Sequence, residues 1–300
     1  MPPLYSRGYF VIAIPAERFK KTEASQWFGR TDSSGRPRAQ LKLQRETQIP
    51  KTTMNLASLI APVLIGSSLT LTQPAASAGT PTVDSILAKY VQAVGGKAAI
   101  EKVHSRIVQF KVESDTLGAS EGEILAKAPD RQRSHIDLGT TGFLDEGFDG
   151  TVAWAKNPRQ GLRVKTGDEL AKVTRDARFN RELNLKSLFP DLAFKGAEKV
   201  GEEEAWVLES KPSPSSKEKF WFSSTTGLVV RQESEYQGPQ GAVNVNVFPR
   251  DYKAVDGLKL PGGMKIKIVN AGQEFEFTLK FVSVKHNVEI DPAKFAKPAE

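Results

Sequence analysis

The sequence predicts a mainly β protein of the α+β class: one strongly curved antiparallel sheet with helices laid across its concave face. Three observations predict it. From Ile107 onward, apolar and polar residues alternate in many short runs, the period of two expected of a strand with one buried face. Turn signals at hairpin spacing separate these runs. A helix-like stretch interrupts the pattern, and its apolar side needs a sheet face for cover.

The first element is a helix. Thr82 can cap it, Asp84 sits in its positive first turn, and Ile86, Leu87, Tyr90, Val91 and Val94 form one stripe. Gly95-Gly96 ends it, and residues 97–103 add a short helical turn. Strands are then expected at 107–113, 121–127, 205–209, 219–222, 228–231, 243–248, 264–269 and 275–284. Between them stand the turns Thr226-Gly227, Gln237-Gly238-Pro239, Asp256-Gly257, Pro261-Gly262-Gly263 and Ala271-Gly272. Such a series reads as a single meandering sheet. Residues 168–190 break it. Asp168-Glu169 lead a helix-like stretch, and Leu183, Leu185, Leu188 and Phe189 give an apolar patch closed by Pro190.

The part ahead of this pattern has a different composition. The chain of 300 residues carries a net charge of +7 and a pI near 9.4, values that suggest nucleic acid. Residues 1–53, however, hold ten Lys/Arg against four Asp/Glu, which leaves 32 basic and 31 acidic groups for everything after. The strandlike part is nearly neutral and offers no footprint for a phosphate backbone. An apolar run from Leu56 to Leu71 follows, shorter than the roughly 20 residues of a membrane helix and interrupted by Pro62. It leads to Ala76-Ser77-Ala78, an A-x-A cleavage site. The reading is therefore a basic leader at 1–53, a secretory signal at 54–78 cleaved after Ala78, and a folded domain at 79–300. The leader is either an unusually long n-region or the product of a misassigned start codon.

There is no cysteine, which removes disulfides, thiolate metal sites and cysteine nucleophiles, and leaves the apolar run without a lipobox. His104, His135 and His286 are too dispersed for a ligand pair and read as surface or hydrogen-bonding residues. The acidic clusters Glu202-Glu203-Glu204 and Asp145-Glu146 read as solvated turns rather than carboxylates facing across a cleft. Gly-x-Ser-x-Gly, the phosphate-loop motif and His-Glu-x-x-His are all absent. No cofactor and no catalytic residue is expected; a hydrolase with an unrecognised site is the weakest of the rival readings.

Three segments, in order, carry a resemblance. Residues 122–130 read Gly-Glu-Ile-Leu-Ala-Lys-Ala-Pro-Asp, residues 149–154 read Asp-Gly-Thr-Val-Ala-Trp with Asn157-Pro158 after them, and residues 291–295 read Asp-Pro-Ala-Lys-Phe. Together they resemble the LolA-like periplasmic lipoprotein carriers over roughly residues 83–295. The resemblance implies an incomplete antiparallel barrel, a helical lid, and an apolar cavity that takes a lipid or the acyl chains of a lipoprotein. It further implies a periplasmic, monomeric protein with an envelope protein as a further partner. The family places an arginine in the slot held here by Ala128, where it latches the lid by hydrogen bonding. The resemblance thus carries lipid holding to this chain without that latch.

The large apolar candidates for the cavity are Phe143, Phe148, Trp154, Phe179, Leu183, Leu188, Phe189, Trp206, Trp221 and Phe222. Each one singly reads as core, where most such side chains go. The set around 179–189, on the expected lid, reads as ligand contact. The rival to a carrier is an envelope interaction or sensor module of the same fold without lipid transport.

Overall fold

The computed structural model describes residues 79–114, 120–158, 160–238 and 241–299. The basic leader, the expected signal and its cleavage position at Ala78 lie outside the described residues. The first helix, α1 (Val83–Val94), starts on a reciprocal cap: Thr82 Oγ1 accepts from the Ser85 N–H at 3.1 Å, and Ser85 Oγ accepts from the Thr82 N–H at 3.0 Å. It stops at Gly95, whose φ of +134° suits glycine. A side chain there would also meet the Gly257 carbonyl oxygen at 2.4 Å, so both conformation and space require the residue. The short α2 (Lys97–Glu101) follows.

Six strands then run as a meander: β1 (Ser105–Glu113), β2 (Ser120–Lys127), β3 (Arg131–Asp137), β4 (Phe143–Phe148), β5 (Ala153–Asn157) and β6 (Gly161–Val164). Two helices come next, α3 (Gly167–Asp176) and α4 (Arg181–Leu188). The chain returns through β7 (Ala193–Val200), β8 (Glu203–Ser213), β9 (Ser216–Ser223), β10 (Val229–Gly238) and β11 (Gly241–Arg250). A small hairpin of β12 (Lys253–Val255) and β13 (Leu258–Leu260) leads to β14 (Gly263–Asn270) and β15 (Gln273–His286). Every pairing is antiparallel. Among the described residues one open sheet of thirteen strands runs in the order β6-β5-β4-β3-β2-β1-β15-β14-β11-β10-β9-β8-β7.

This order fixes where the helices go. The strands β6 and β7 are the two edges of the sheet, and α3–α4 is the stretch of chain that joins them. A connection from one edge to the other must cross a face, and its apolar side then meets that face. The edges do not pair with each other, so the sheet is not closed into a barrel. One apolar cluster joins Phe110 and Val112 of β1, Ile136 of β3 and Leu144 of β4 to Tyr236, Val245, Ile266 and Leu279 of β10, β11, β14 and β15. That breadth agrees with the expected curvature.

Register separates the two faces. On the helix-covered face, His286, Arg106, Ala126, Gln132, Phe148 and Ala153 form one continuous cross-strand row. The next row, Ile107, Leu125, Arg133, Gly147 and Trp154, points to the other face because side chains alternate along each strand. There the chain end packs. Ile290 and the fully buried Phe295 cover Leu125, and the Trp154 Nε1–H donates to the Phe295 carbonyl at 2.9 Å. No helix among the described residues is long and apolar enough to cross a membrane.

Candidate functional site

Between the covered face and the elements laid across it lies a cavity of about 170 Å³. Its floor is the sheet: Val108 of β1, Ile124 and Ala126 of β2, Met264 of β14, and Leu279 and Phe281 of β15. Its roof comes from Tyr90 and Val94 of α1, Leu260 of β13, and the loop between α3 and α4 with Phe179 at its centre. The row that includes Arg106, Ala126 and Gln132 forms one wall. Ala126 stands between Arg106 and Gln132, and its short side chain leaves room between two long ones.

The roof is fastened by charge. Along α3, Glu169, Lys172 and Asp176 recur at i, i+3 and i+7, which places them on one side of the helix, and the first two are buried. The side chains of Lys172, Asp176 and Glu218 are each only 2% exposed. Lys172 pairs with Asp176, and its Nζ lies 3.3 Å from Glu218 of β9. Arg181, the first residue of α4, reaches Asp176 at 3.4 Å and lies over the ring of Phe220 at 5.5 Å. Glu218 also accepts from the Ser234 hydroxyl on β10. Two cations and two carboxylates thus cancel inside the protein, pinning the α3–α4 segment to strands β9 and β10.

A second pair of ion pairs holds the start of α3. Arg163 grips Glu169 bidentately at 2.8 and 2.9 Å, and Lys165 Nζ lies 3.0 Å from Glu146. Burial pushes the Glu169 carboxyl above the ordinary carboxylate range, a rise that Arg163 opposes. Burial likewise pushes Lys165 down, against the pull of Glu146. Between these clasps Leu170, Val173 and Ala177 pack on Phe148 and Ala153. The backbone adds one more tie: the Phe179 N–H donates to the Pro129 carbonyl at 3.0 Å. The turn that carries Ala128 therefore touches the roof through the residue beside it.

At the other end of the Arg106 row stands a polar chain of three groups. Arg106 Nε donates to His286 Nε2 at 3.1 Å, and His286 Nδ1 lies 2.9 Å from Asp256 of the β12–β13 turn. Since Nε2 accepts, the neutral ring carries its proton on Nδ1 and donates it to the carboxylate. Desolvation lowers the imidazole pKa, the Arg106 charge lowers it further, and Asp256 opposes both. His286 is hydrogen-bonded as expected, but its side chain is 3% exposed rather than at the surface.

Of the ten apolar candidates, Phe179 lines the cavity. Leu188, Phe189, Trp206 and Phe222 belong instead to the core between α1, α4 and strands β8–β10, and Leu183 packs in the neighbouring cluster around Val94 and Leu260. Phe148 lies beneath α3. Trp154 and Trp221 point to the opposite face, Trp221 stacked under the Arg231 guanidinium at 4.2 Å with its Nε1 donating to Glu198 at 2.8 Å. Phe143 is 36% exposed, beside His135. The lining residues not singled out from the sequence are mostly medium-sized strand residues together with Arg106 and Gln132. The alternation of β1 marks Arg106 as sharing a face with Val108, which was the available signal.

No protein-family model matches the sequence, and no curated protein does. Solved structures similar to the chain include a DUF1329 family protein from Desulfovibrio piger, 14% identical, with a TM-score of 0.45 over 72% of this chain and 98% of that one. A LolA superfamily protein from Nitrosomonas europaea is 15% identical, with a TM-score of 0.43 over 73% of this chain and 99% of that one.

Proposed function

We propose that residues 79–300 are an exported carrier or holder of a lipid or acylated ligand, working as a monomer in the periplasm after removal of a signal that ends at Ala78. The observation that supports this reading is the cavity of about 170 Å³, walled by strand residues on one side and by the edge-to-edge crossover on the other. An apolar cavity of about 150 Å³ takes up a molecule of benzene, so this one has room for a short stretch of alkyl chain. Each methylene moved out of water contributes about 0.8 kcal/mol, and eight of them contribute roughly 6 kcal/mol before ordering costs. Binding of that kind needs no catalytic group.

A longer chain needs more space, and the element that can supply it is α3–α4. Buried ion pairs share its fastening with apolar contacts at Leu170, Val173, Leu183 and Phe189, so lifting it exchanges ion pairs for water and bares apolar surface that a longer chain can cover. Native mass spectrometry with lipid extraction tests the reading, on protein taken from the exported fraction without detergent. A chain starting at Gly79 with a stoichiometric lipid mass is the expected result. An empty chain that also fails to take up added alkyl ligands would refute the carrier and favour an interaction module.

A further inference from the structure

The charges around the cavity do not balance. Four basic side chains reach it, Arg106, Arg178, Arg181 and Lys259, against two acidic ones, Asp176 and Glu182. Arg181 and Asp176 are committed to each other, and Asp176 also to Lys172. Among the described residues no carboxylate lies within 4.0 Å of the charged nitrogens of Arg106, Arg178 or Lys259. Three cations against Glu182 leave the lining with a surplus of two positive charges, in a space whose floor is apolar.

One of the three is held in place. Arg106 is the direct cross-strand partner of His286, gives its Nε–H to that ring, and lies over the face of Phe179 at 5.7 Å. His286 is itself fixed by Asp256 on the far side. The hydrogen bond to His286 uses Nε and leaves the two terminal amino groups, an edge whose spacing matches the two oxygens of a carboxylate or phosphate. An arginine at a cavity wall, oriented by a neutral histidine and lacking a carboxylate of its own, has the makings of an anion receptor.

We infer that the ligand is an amphiphile with a single anionic group, carboxylate or phosphate, received by Arg106 with Arg178 and Lys259 adding positive charge, while its apolar chain lies along Val108, Ile124 and Leu279. The inference rests on the carrier reading and adds the chemistry of the head. A neutral ester or alcohol of the same chain length gains the apolar contacts and none of the ion pairing. The discrimination therefore resides in Arg106, and the affinity in the chain.

Three probes of one chain length test it against the full protein by displacement of a fluorescent alkyl reporter: octanoate, octyl phosphate and methyl octanoate. The expected result is that at least one anion binds about tenfold or more tighter than the ester. Arg106→Gln should then bring that anion down to the affinity of the ester while leaving the ester unchanged. Whichever anion binds more tightly identifies the source, a free fatty acid or a phosphate-bearing lipid head. Asp256→Asn, in an exposed turn, should lose part of the same preference, and it supplies the test if the Arg106 variant does not fold. Equal binding of all three probes, or a preference that survives Arg106→Gln, overturns the anionic head and leaves the carrier standing. Binding of none of them overturns both.

Discussion

Removing Lys172 should loosen the crossover far more than deletion of a surface lysine would, and by an amount the geometry bounds. Its side chain is 2% exposed and stands between Asp176 and Glu218, each equally buried. In Lys172→Met the methylene stem is kept and one charge is lost, so two buried carboxylates are left to share Arg181. Breaking a buried pair on one side costs about 3–5 kcal/mol, because the partner remains charged without compensation. For a domain of roughly 150–250 residues, each kcal/mol moves the midpoint by about 2–4 °C, so thermal unfolding should fall by roughly 6–20 °C. The control is the double variant Lys172→Met with Glu218→Gln. It restores neutrality, keeps an amide oxygen for the Ser234 hydroxyl, and should recover a large part of the loss. Circular dichroism melts of the wild type, both single variants and the pair form a double-mutant cycle. If Lys172→Met costs less than about 1 kcal/mol, or if the two losses simply add, the four charges are not a coupled clasp. The roof is then held by its apolar contacts and not by the ion pairs.

Three further outcomes are expected. Ala126→Leu fills the gap between Arg106 and Gln132, so alkyl-ligand affinity should drop by about tenfold or more with little change in melting, measured by the same reporter displacement. Trp154→Phe leaves the Phe295 carbonyl without its buried donor, at a cost of about 1–3 kcal/mol, and should speed proteolysis of the chain end without altering ligand affinity, since that face is turned from the cavity. His286, its pKa held below the ordinary 6.5 by burial and Arg106, binds fewer protons folded than unfolded as pH drops below that value. Its contribution is therefore full above about pH 6.5 and lost as the pH falls toward the folded value. A stability–pH curve should show this slope, and His286→Gln should flatten it.

The strands β1, β2, β8–β11, β14 and β15 were legible because each buries one face against a core and so keeps a period of two. The strands β3 to β6 were not. In β3 and β6 the residues Arg131, Arg133 and Arg163 occupy strand positions and pair with chain neighbours or acids across the sheet, so polar residues fill what alternation would mark as apolar. In β4 the buried Asp145 answers Arg133 at 2.7 Å, which turned an acidic pair that reads as a solvated turn into the middle of a strand. Edge strand β7 has no fully buried residue and carries no apolar period. The helix at 83–94 was legible from its cap and apolar stripe, and α3 from the acids that lead it. What could not be read was which side of the second one faces inward.

That side explains why the largest apolar residues were a poor guide to the cavity. On a helix that crosses a sheet the expected inward stripe is apolar, and the set around 179–189, with Leu188 and Phe189, is expected to meet a ligand because it lies on the expected lid. The structure sets Glu169, Lys172 and Asp176 inward beside the apolar stripe of Leu170, Val173 and Ala177, and Phe189 plugs into Phe220 and Phe222 as core. Bulk is what a core needs, since a large ring excludes water and fills space. A cavity needs the reverse, small and medium side chains whose van der Waals surfaces stop short of one another. Ala126, Val108 and Ile124 meet that need without standing out in a sequence. The residue that does stand out on the same row is Arg106, because a strand that buries Val108 and Phe110 gives an arginine on that face no ordinary reason to be there. Only the cross-strand pairing with His286, 180 residues away, supplies one.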